Sequence, residues 1–238
     1  MTEPVKWSIL IALAYLLGSI PFALLIGKSR GIDIRQHGSG NVGASNVGRV
    51  LGRRFGMLCF TLDVLKGFVP TVLAGWWCGL FAPDMRDHEQ AITQTQMLLW
   101  LAVSFAAILG HTNSIFLRFK GGKGVATAFG SMVGIYPHLT WPILAAMAVW
   151  LAAVKLWRII SLASMAAAIS VPLWHLISVV PGDGGEETFI HRVFDRWPFV
   201  VVTMLLALLV VWKHRSNIAR LRAGAEARIG EPPHPPNP

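Results

Sequence analysis

Acidic residues are scarce in this chain, cysteine is nearly absent, and the usual metal-binding spacings are missing. Aspartate and glutamate number 12 in 238 residues, against 21 lysines and arginines, and charged residues together make up 14% of the sequence. A soluble domain carries about 25%. That shortage of charge, with 54% hydrophobic residues and ten tryptophans, excludes an ordinary soluble domain and points to a polytopic membrane protein. The net charge of +9 is therefore read as facing anionic lipid headgroups and anionic substrates, with no nucleic acid as partner. The two cysteines, Cys59 and Cys78, fall near opposite ends of one apolar run. They would lie roughly 28 Å apart along a helix, too far for a disulfide. Eight histidines are scattered without a His-x-x-x-His pair, and no Cys-x-x-Cys occurs, so no metal site and no cofactor are expected.

What is present is a series of apolar runs. The first, Trp7 to Gly27, is long enough to span a bilayer. Its Gly18-Ser19-Ile20-Pro21 allows close packing and a local kink. It is read as a retained span and not as a signal peptide. Further runs cover about Phe55–Phe81, Met97–Leu117, Ile159–Val180 and Trp197–Trp212. The stretch Val125–Val154 is interrupted at Tyr136-Pro137-His138 and at Pro142, and is read as two short helices joined at Pro137. The expected fold is an all-α polytopic membrane protein with seven transmembrane helices and no soluble domain. Residues 1–222 form its single integral-membrane domain. Residues 223–238, ending in a proline-rich stub, are expected to be a disordered tail.

Charge sets the orientation. With the N-terminus outside and the C-terminus cytoplasmic, only Lys6, Arg86, Arg192 and Arg196 fall outside, and every other lysine and arginine falls inside. Two glycine-rich segments and the basic tail then share the cytoplasmic face. This holds only if Val125–Val154 crosses twice.

The first of those segments runs from Gly38 to Arg49 and packs small and polar residues into an otherwise oily chain. It cannot lie in lipid, because its backbone groups would go unsatisfied. Gly38-x-Gly40-x-x-Gly43 matches a dinucleotide fingerprint, but a membrane span follows it where a βαβ unit would be needed. The physical content survives without that label. Closely spaced glycines (Gly38, Gly40, Gly43) let backbone N–H groups approach a phosphate. Arg49 supplies a fork for oxyanions, and Ser39, Asn41 and Asn46 add hydrogen-bonding side chains. A flexible connecting loop is the plain alternative. The second segment, Lys120-Gly121-Gly122-Lys123-Gly124, carries the same chemistry. Asp63 and Lys66 share a helix face and are read as a structural ion pair. His111 at the end of the third span reads by default as a polar helix-end histidine, Ser161 and Ser164 share a face and read as small packing residues, and His214 with Asn217 could face one cavity from a helix end or form a solvated basic tail.

Taken together, these stretches resemble the PlsY family, bacterial acyl-phosphate:glycerol-3-phosphate acyltransferases. The resemblance is carried by Gly18–Pro21, Gly38–Arg49, Asp63–Gly67, Gly110-His111, Phe119–Thr127, Ser161–Ser164 and His214–Asn217, in family order. One departure is Ser45, where threonine is usual and a hydroxyl is kept. The resemblance implies transfer of an acyl group from acyl phosphate to the 1-hydroxyl of sn-glycerol 3-phosphate, giving lysophosphatidic acid and phosphate. This is the first acylation of phospholipid biosynthesis. No histidine is followed five positions later by aspartate, the acid–base signature of the common glycerolipid acyltransferases, which fits a donor other than acyl-CoA.

The resemblance places catalytic residues at Ser39, Arg49, Lys123, His214 and Asn217. Substrate-binding residues are then expected among Gly38, Gly40, Asn41, Gly43, Asn46, Lys120, Gly121, Gly122, Gly124, His111, Ser161 and Ser164. It implies a multi-pass protein of the bacterial inner membrane with a cytoplasmic active site. Its partners are glycerol 3-phosphate, long-chain acyl phosphate and membrane lipid, and it allows functional coupling to the enzyme that makes acyl phosphate. The competing class is a transporter of an organic phosphate or other anion, which cationic glycine-rich segments would also suit.

Overall fold

Proline at position 21 ends the first helix, because its ring removes a backbone donor and clashes with the preceding turn. In the computed structural model, which describes residues 2–81, 92–180 and 188–230, the first apolar run is accordingly divided into α1 (Glu3–Ser19) and α2 (Phe22–Lys28). The carbonyls freed at the break are satisfied from outside. Ser114 Oγ donates to Ser19 O at 2.6 Å, and Lys66 Nζ donates to Ile20 O at 2.9 Å. Lys66 is also 2.7 Å from Asp63 Oδ1, so the expected ion pair is present and braces the kink.

The segment after α2 is more ordered than a connecting loop. A 3-10 turn at Ile34–Gln36 leads to α3 (Ala44–Leu51), and Gly52 separates α3 from α4 (Arg53–Trp77). Then follow α5 (Gln94–Thr112) and a 3-10 turn at Ile115–Leu117. The stretch read as two helices divides into α6 (Val125–Val133) and α7 (Thr140–Trp157), the break extending over residues 134–139. The chain closes with α8 (Ile160–Ser178), α9 (Phe189–Asp195), α10 (Trp197–Lys213) and α11 (Arg215–Arg222). Sequence reading gave a loop up to Arg196, so α9 is an addition. Its N-terminus is capped by Thr188, which accepts from the His191 amide. Among the described residues there is no strand.

Among the described residues, five segments are long and apolar enough to cross a membrane: Glu3–Lys28, Arg53–Trp77, Gln94–Leu117, Thr140–Trp157 and Ile160–Ser178. A sixth is added if α9 and α10, bent by 75°, count as one. Helix α6 has nine residues, only about 13 Å of rise.

Glycine sets the tightest contacts. A β-carbon on Gly18 would lie 2.1 Å from Ala107 O, and one on Gly110 would lie 2.3 Å from Tyr15 O, so α1 and α5 meet backbone to backbone. Small residues at such crossings are the usual basis of packing in lipid, where apolar burial gives no preference for helix over solvent. The interior beyond them is filled by Trp100, Met132, Ile135, Leu139 and Phe199, and Trp100 Nε1 donates to Thr71 O at 2.9 Å. Gly110→Val is expected to lower stability by about 3 kcal/mol, because the backbones must separate. Thermal unfolding of the protein in detergent measures it, and an unchanged midpoint would contradict the close packing.

Candidate active site at one end of the bundle

The first glycine-rich segment is built around Asn46, whose side chain is fully buried. Its Oδ1 accepts from the Ser39 amide at 2.8 Å, and its Nδ2 donates to Ile34 O and His37 O at 3.1 and 3.0 Å. Gly38 has φ +60°, and a β-carbon there would lie 2.4 Å from Asn46 Oδ1. Asn46 is therefore engaged in shaping the loop, whereas sequence reading grouped it with the groups that face a ligand. The turn leaves Ser39 exposed and Gly40 and Asn41 half-buried, with Gly43 opening α3. Arg49 lies in the last turn of α3 and is exposed.

The second segment packs on the end of α5. The Gly121 amide donates to Thr112 O at 3.2 Å and the Gly122 amide to His111 O at 3.1 Å. Gly124, with φ +83°, turns the chain into α6. The two segments meet at Gly122: a β-carbon there would lie 2.6 Å from Val42 O and 2.2 Å from His111 Nε2. His111 is buried and lies against this junction. Lys120 is exposed, and Lys123 is half-buried.

The tail completes the cluster. The Lys123 ammonium donates to Asn217 Oδ1, and the Asn217 amide donates to Glu226 Oε1. Ser161 Oγ donates to the same oxygen at 2.6 Å, and Arg220 Nε donates to Glu226 Oε2 at 2.7 Å. His214 is buried beside this network, with Nδ1 2.7 Å from Val210 O. Ser164 is elsewhere: it accepts from Trp150 Nε1 at 3.2 Å, between α7 and α8.

Glu226 was not found by sequence reading, which placed everything after Arg222 in a disordered tail. Residues 223–230 instead dock on the start of α8. Ile229 N donates to Arg158 O at 2.7 Å, and Arg158 Nη2 donates to Ile229 O at 2.8 Å. Residues 231–238 lie outside the described residues. The available signal was one carboxylate among Arg220, Arg222 and Arg228.

Electrostatics follow from this placement. Burial pushes the Lys123 ammonium down to about 8, partly opposed by Glu226 and assisted by Arg220 and Arg49. Arg49 of the first glycine-rich segment thus adds to the downward push on Lys123 of the second. Burial holds His214 down to about 4, so its ring is neutral at pH 7. A neutral ring that gives Nδ1–H to the Val210 carbonyl keeps Nε2 as an acceptor. Burial raises Glu226, but hydrogen bonds from Ser161, Asn217 and Arg220 outweigh that and hold it below the usual carboxylate range. Among the described residues, no group of three histidine, cysteine or acidic side chains could hold a metal ion. The site thus gathers Arg49, Lys123 and the glycine-rich backbone around the Glu226 carboxylate.

Known proteins resemble this chain in sequence and in fold. A family profile described as glycerol-3-phosphate acyltransferase matches residues 8–224. The glycerol-3-phosphate acyltransferase of Geobacter metallireducens is 45% identical over 222 residues, 93% of this chain and 96% of that protein. The one of Geotalea daltonii is 42% identical over 219 residues, covering 92% and 95%. Among solved structures, the glycerol 3-phosphate form of PlsY (YgiH), an integral membrane glycerol 3-phosphate acyltransferase, superposes with a TM-score of 0.75. It is 36% identical and covers 94% of this chain and 96% of its own. Its lysophosphatidic acid form gives 0.73 at 35% identity. With the match running through nearly the whole chain in sequence and in fold, this protein belongs to the family of integral membrane glycerol-3-phosphate acyltransferases.

Proposed function

We propose that this protein transfers an acyl group from acyl phosphate to the 1-hydroxyl of sn-glycerol 3-phosphate, releasing lysophosphatidic acid and phosphate. The observation that carries this reading is the convergence of both glycine-rich segments and the Lys123–Asn217 pair at one end of the bundle. Both substrates carry phosphate, and Arg49 and Lys123 with the backbone amides are suited to neutralise it. Ser39, exposed on its turn, orients a phosphate or the attacking hydroxyl.

The reaction needs no covalent enzyme intermediate, because an acyl phosphate is already activated. The glycerol hydroxyl oxygen attacks the acyl carbonyl carbon, the bond from that carbon to the phosphate oxygen breaks, and the departing phosphate takes the hydroxyl proton. His214 Nε2 and Asn217 fix the glycerol end. Trapping labelled acyl-enzyme at Ser39 would overturn the direct route.

We also infer seven crossings, with the N-terminus outside and the site on the cytoplasmic face of a bacterial inner membrane. Supporting this, Lys123 contacts Asn217, beyond the end of α10, while His138 stacks on Phe199 at the start of α10, with ring centroids 5.2 Å apart. Residues 123–138 therefore run from one end of the bundle to the other despite the shortness of α6, and α7 returns. The charge bias then assigns the Lys123 end to the cytoplasm.

The test is phosphate release from acyl phosphate by the purified protein in detergent, with and without glycerol 3-phosphate. Release that depends on the acceptor supports the reading; no dependence would favour an anion carrier. A pH series adds a second expectation. Lys123 is charged below about pH 8 and loses its charge above it. The KM for glycerol 3-phosphate should therefore rise about fivefold between pH 8 and 9, and Lys123→Arg should remove that rise.

A further inference from the structure

Helices α4 and α5 carry a buried ionisable cluster that takes no part in the acyl-transfer steps above, although the family resemblance places His111 among the substrate-binding residues. Asp63, Lys66 and His111 have side chains only 3%, 4% and 6% exposed. Asp63 Oδ1 lies 2.7 Å from Lys66 Nζ and 3.6 Å from His111 Nδ1. Ionisable side chains within a membrane span are costly and mark function by default. Lys66 has a structural duty at the Ile20 carbonyl. His111 has none of that kind. Its Nδ1 turns to the carboxylate, and its opposite edge, Nε2, abuts Gly122 where that residue meets the Val42 carbonyl.

We infer that Asp63 and His111 are positioning residues: the carboxylate holds the imidazole, and the imidazole sets the spacing of the two glycine-rich segments and so the place of Lys123. At 3.6 Å the Asp63 carboxylate acts on the ring through its charge and not through a hydrogen bond, and that charge favours the tautomer with its proton on Nδ1. The ring then stands as a fixed wedge under Gly122, which has no side chain to yield. Lys123 follows directly in the chain and donates to Asn217, so displacement of Gly122 is transmitted to the ammonium that faces substrate. This inference rests on the acyl-transfer reading, because it gives that ammonium a phosphate to bind.

The test is steady-state kinetics in detergent with glycerol 3-phosphate varied at saturating acyl phosphate. Asp63→Asn and His111→Ala are each expected to raise the KM for glycerol 3-phosphate about tenfold while kcat stays within about threefold. His111→Gln, which keeps bulk and a polar group, should recover part of the loss. Because Asp63 acts through His111, the double variant should be no worse than His111→Ala alone. Thr71→Val, which removes the Thr71 hydroxyl bond to Gly67 O further along α4, serves as control. It should lower the unfolding midpoint and leave KM unchanged.

Unaltered KM in Asp63→Asn and His111→Ala, or losses that multiply in the double variant, would overturn the inference. If Asp63→Asn does not fold, the two His111 variants decide, since they leave the Asp63–Lys66 pair intact. A wild-type protein without acceptor-dependent phosphate release would overturn the acyl-transfer reading instead. The wedge is then read directly from the Gly122 amide resonance of ¹⁵N-labelled protein, which should move in His111→Gln. An unmoved resonance would sink the wedge itself.

Discussion

Lys123→Ala is expected to lower kcat/KM by about a thousandfold or more, and Arg49→Ala by a similar factor, with the protein still folded. A single preorganised donor at a developing oxyanion is worth about a hundred- to a thousandfold in rate, and a charged donor facing phosphate acts on both binding and the transition state. Stability should change little. Arg49 is exposed, and loss of the Lys123 ammonium leaves only the Asn217 carbonyl short of one donor, about 1 kcal/mol. Kinetics and thermal unfolding on the same preparations check both halves. Near-normal turnover in either variant would mean that the phosphate site lies elsewhere on the surface.

Glu226→Ala should damage both folding and turnover, which distinguishes it from the two cation variants. The carboxylate is the common acceptor for Ser161, Asn217 and Arg220, and it holds residues 223–230 against the start of α8. Removing it strands buried donors, since Ser161 and Asn217 are almost fully enclosed. Each such group costs about 1–3 kcal/mol. Asn217 would also lose the contact that fixes it opposite Lys123, so we expect turnover to fall about a hundredfold. Glu226→Gln, which keeps one acceptor, should lie between. Folding holds this carboxyl below its usual value of 4.5. Its stabilisation is therefore fully present above that pH and is lost as pH falls through the lowered value. A wild-type unfolding midpoint that drops on acidification more than that of Glu226→Ala would show this.

The features legible in the sequence are those with a one-dimensional signature. Apolar runs of spanning length gave the helices, Pro21 and Pro137 gave the breaks, and the distribution of lysine and arginine grouped the glycine-rich segments with the tail. The spacing of Asp63 and Lys66 gave their ion pair, because three residues along a helix share a face. The loop-shaping contacts of Asn46 were not legible for a physical reason: an amide that binds a ligand and one that binds its own loop look alike until the carbonyls of Ile34 and His37 are placed. Ser161 and Ser164 have equal claims in sequence, yet helix rotation sends one to Glu226 and the other to Trp150. Glu226 itself was hidden, since an acid in a basic, proline-ended tail reads as solvated chain.

By itself the sequence determined that this chain lives in a membrane, where its helices begin and break, and which polar segments must avoid lipid. These follow from local rules of hydropathy, backbone satisfaction and charge. Only the tertiary structure decided which groups meet: Gly122 with His111 and Val42, Lys123 with Asn217, and Asn217 in turn with the tail carboxylate of Glu226. Two of these contacts, Gly122 with Val42 and Lys123 with Asn217, join residues 80 and 94 positions apart, and all depend on the rotation and close approach of packed helices, which no local pattern encodes.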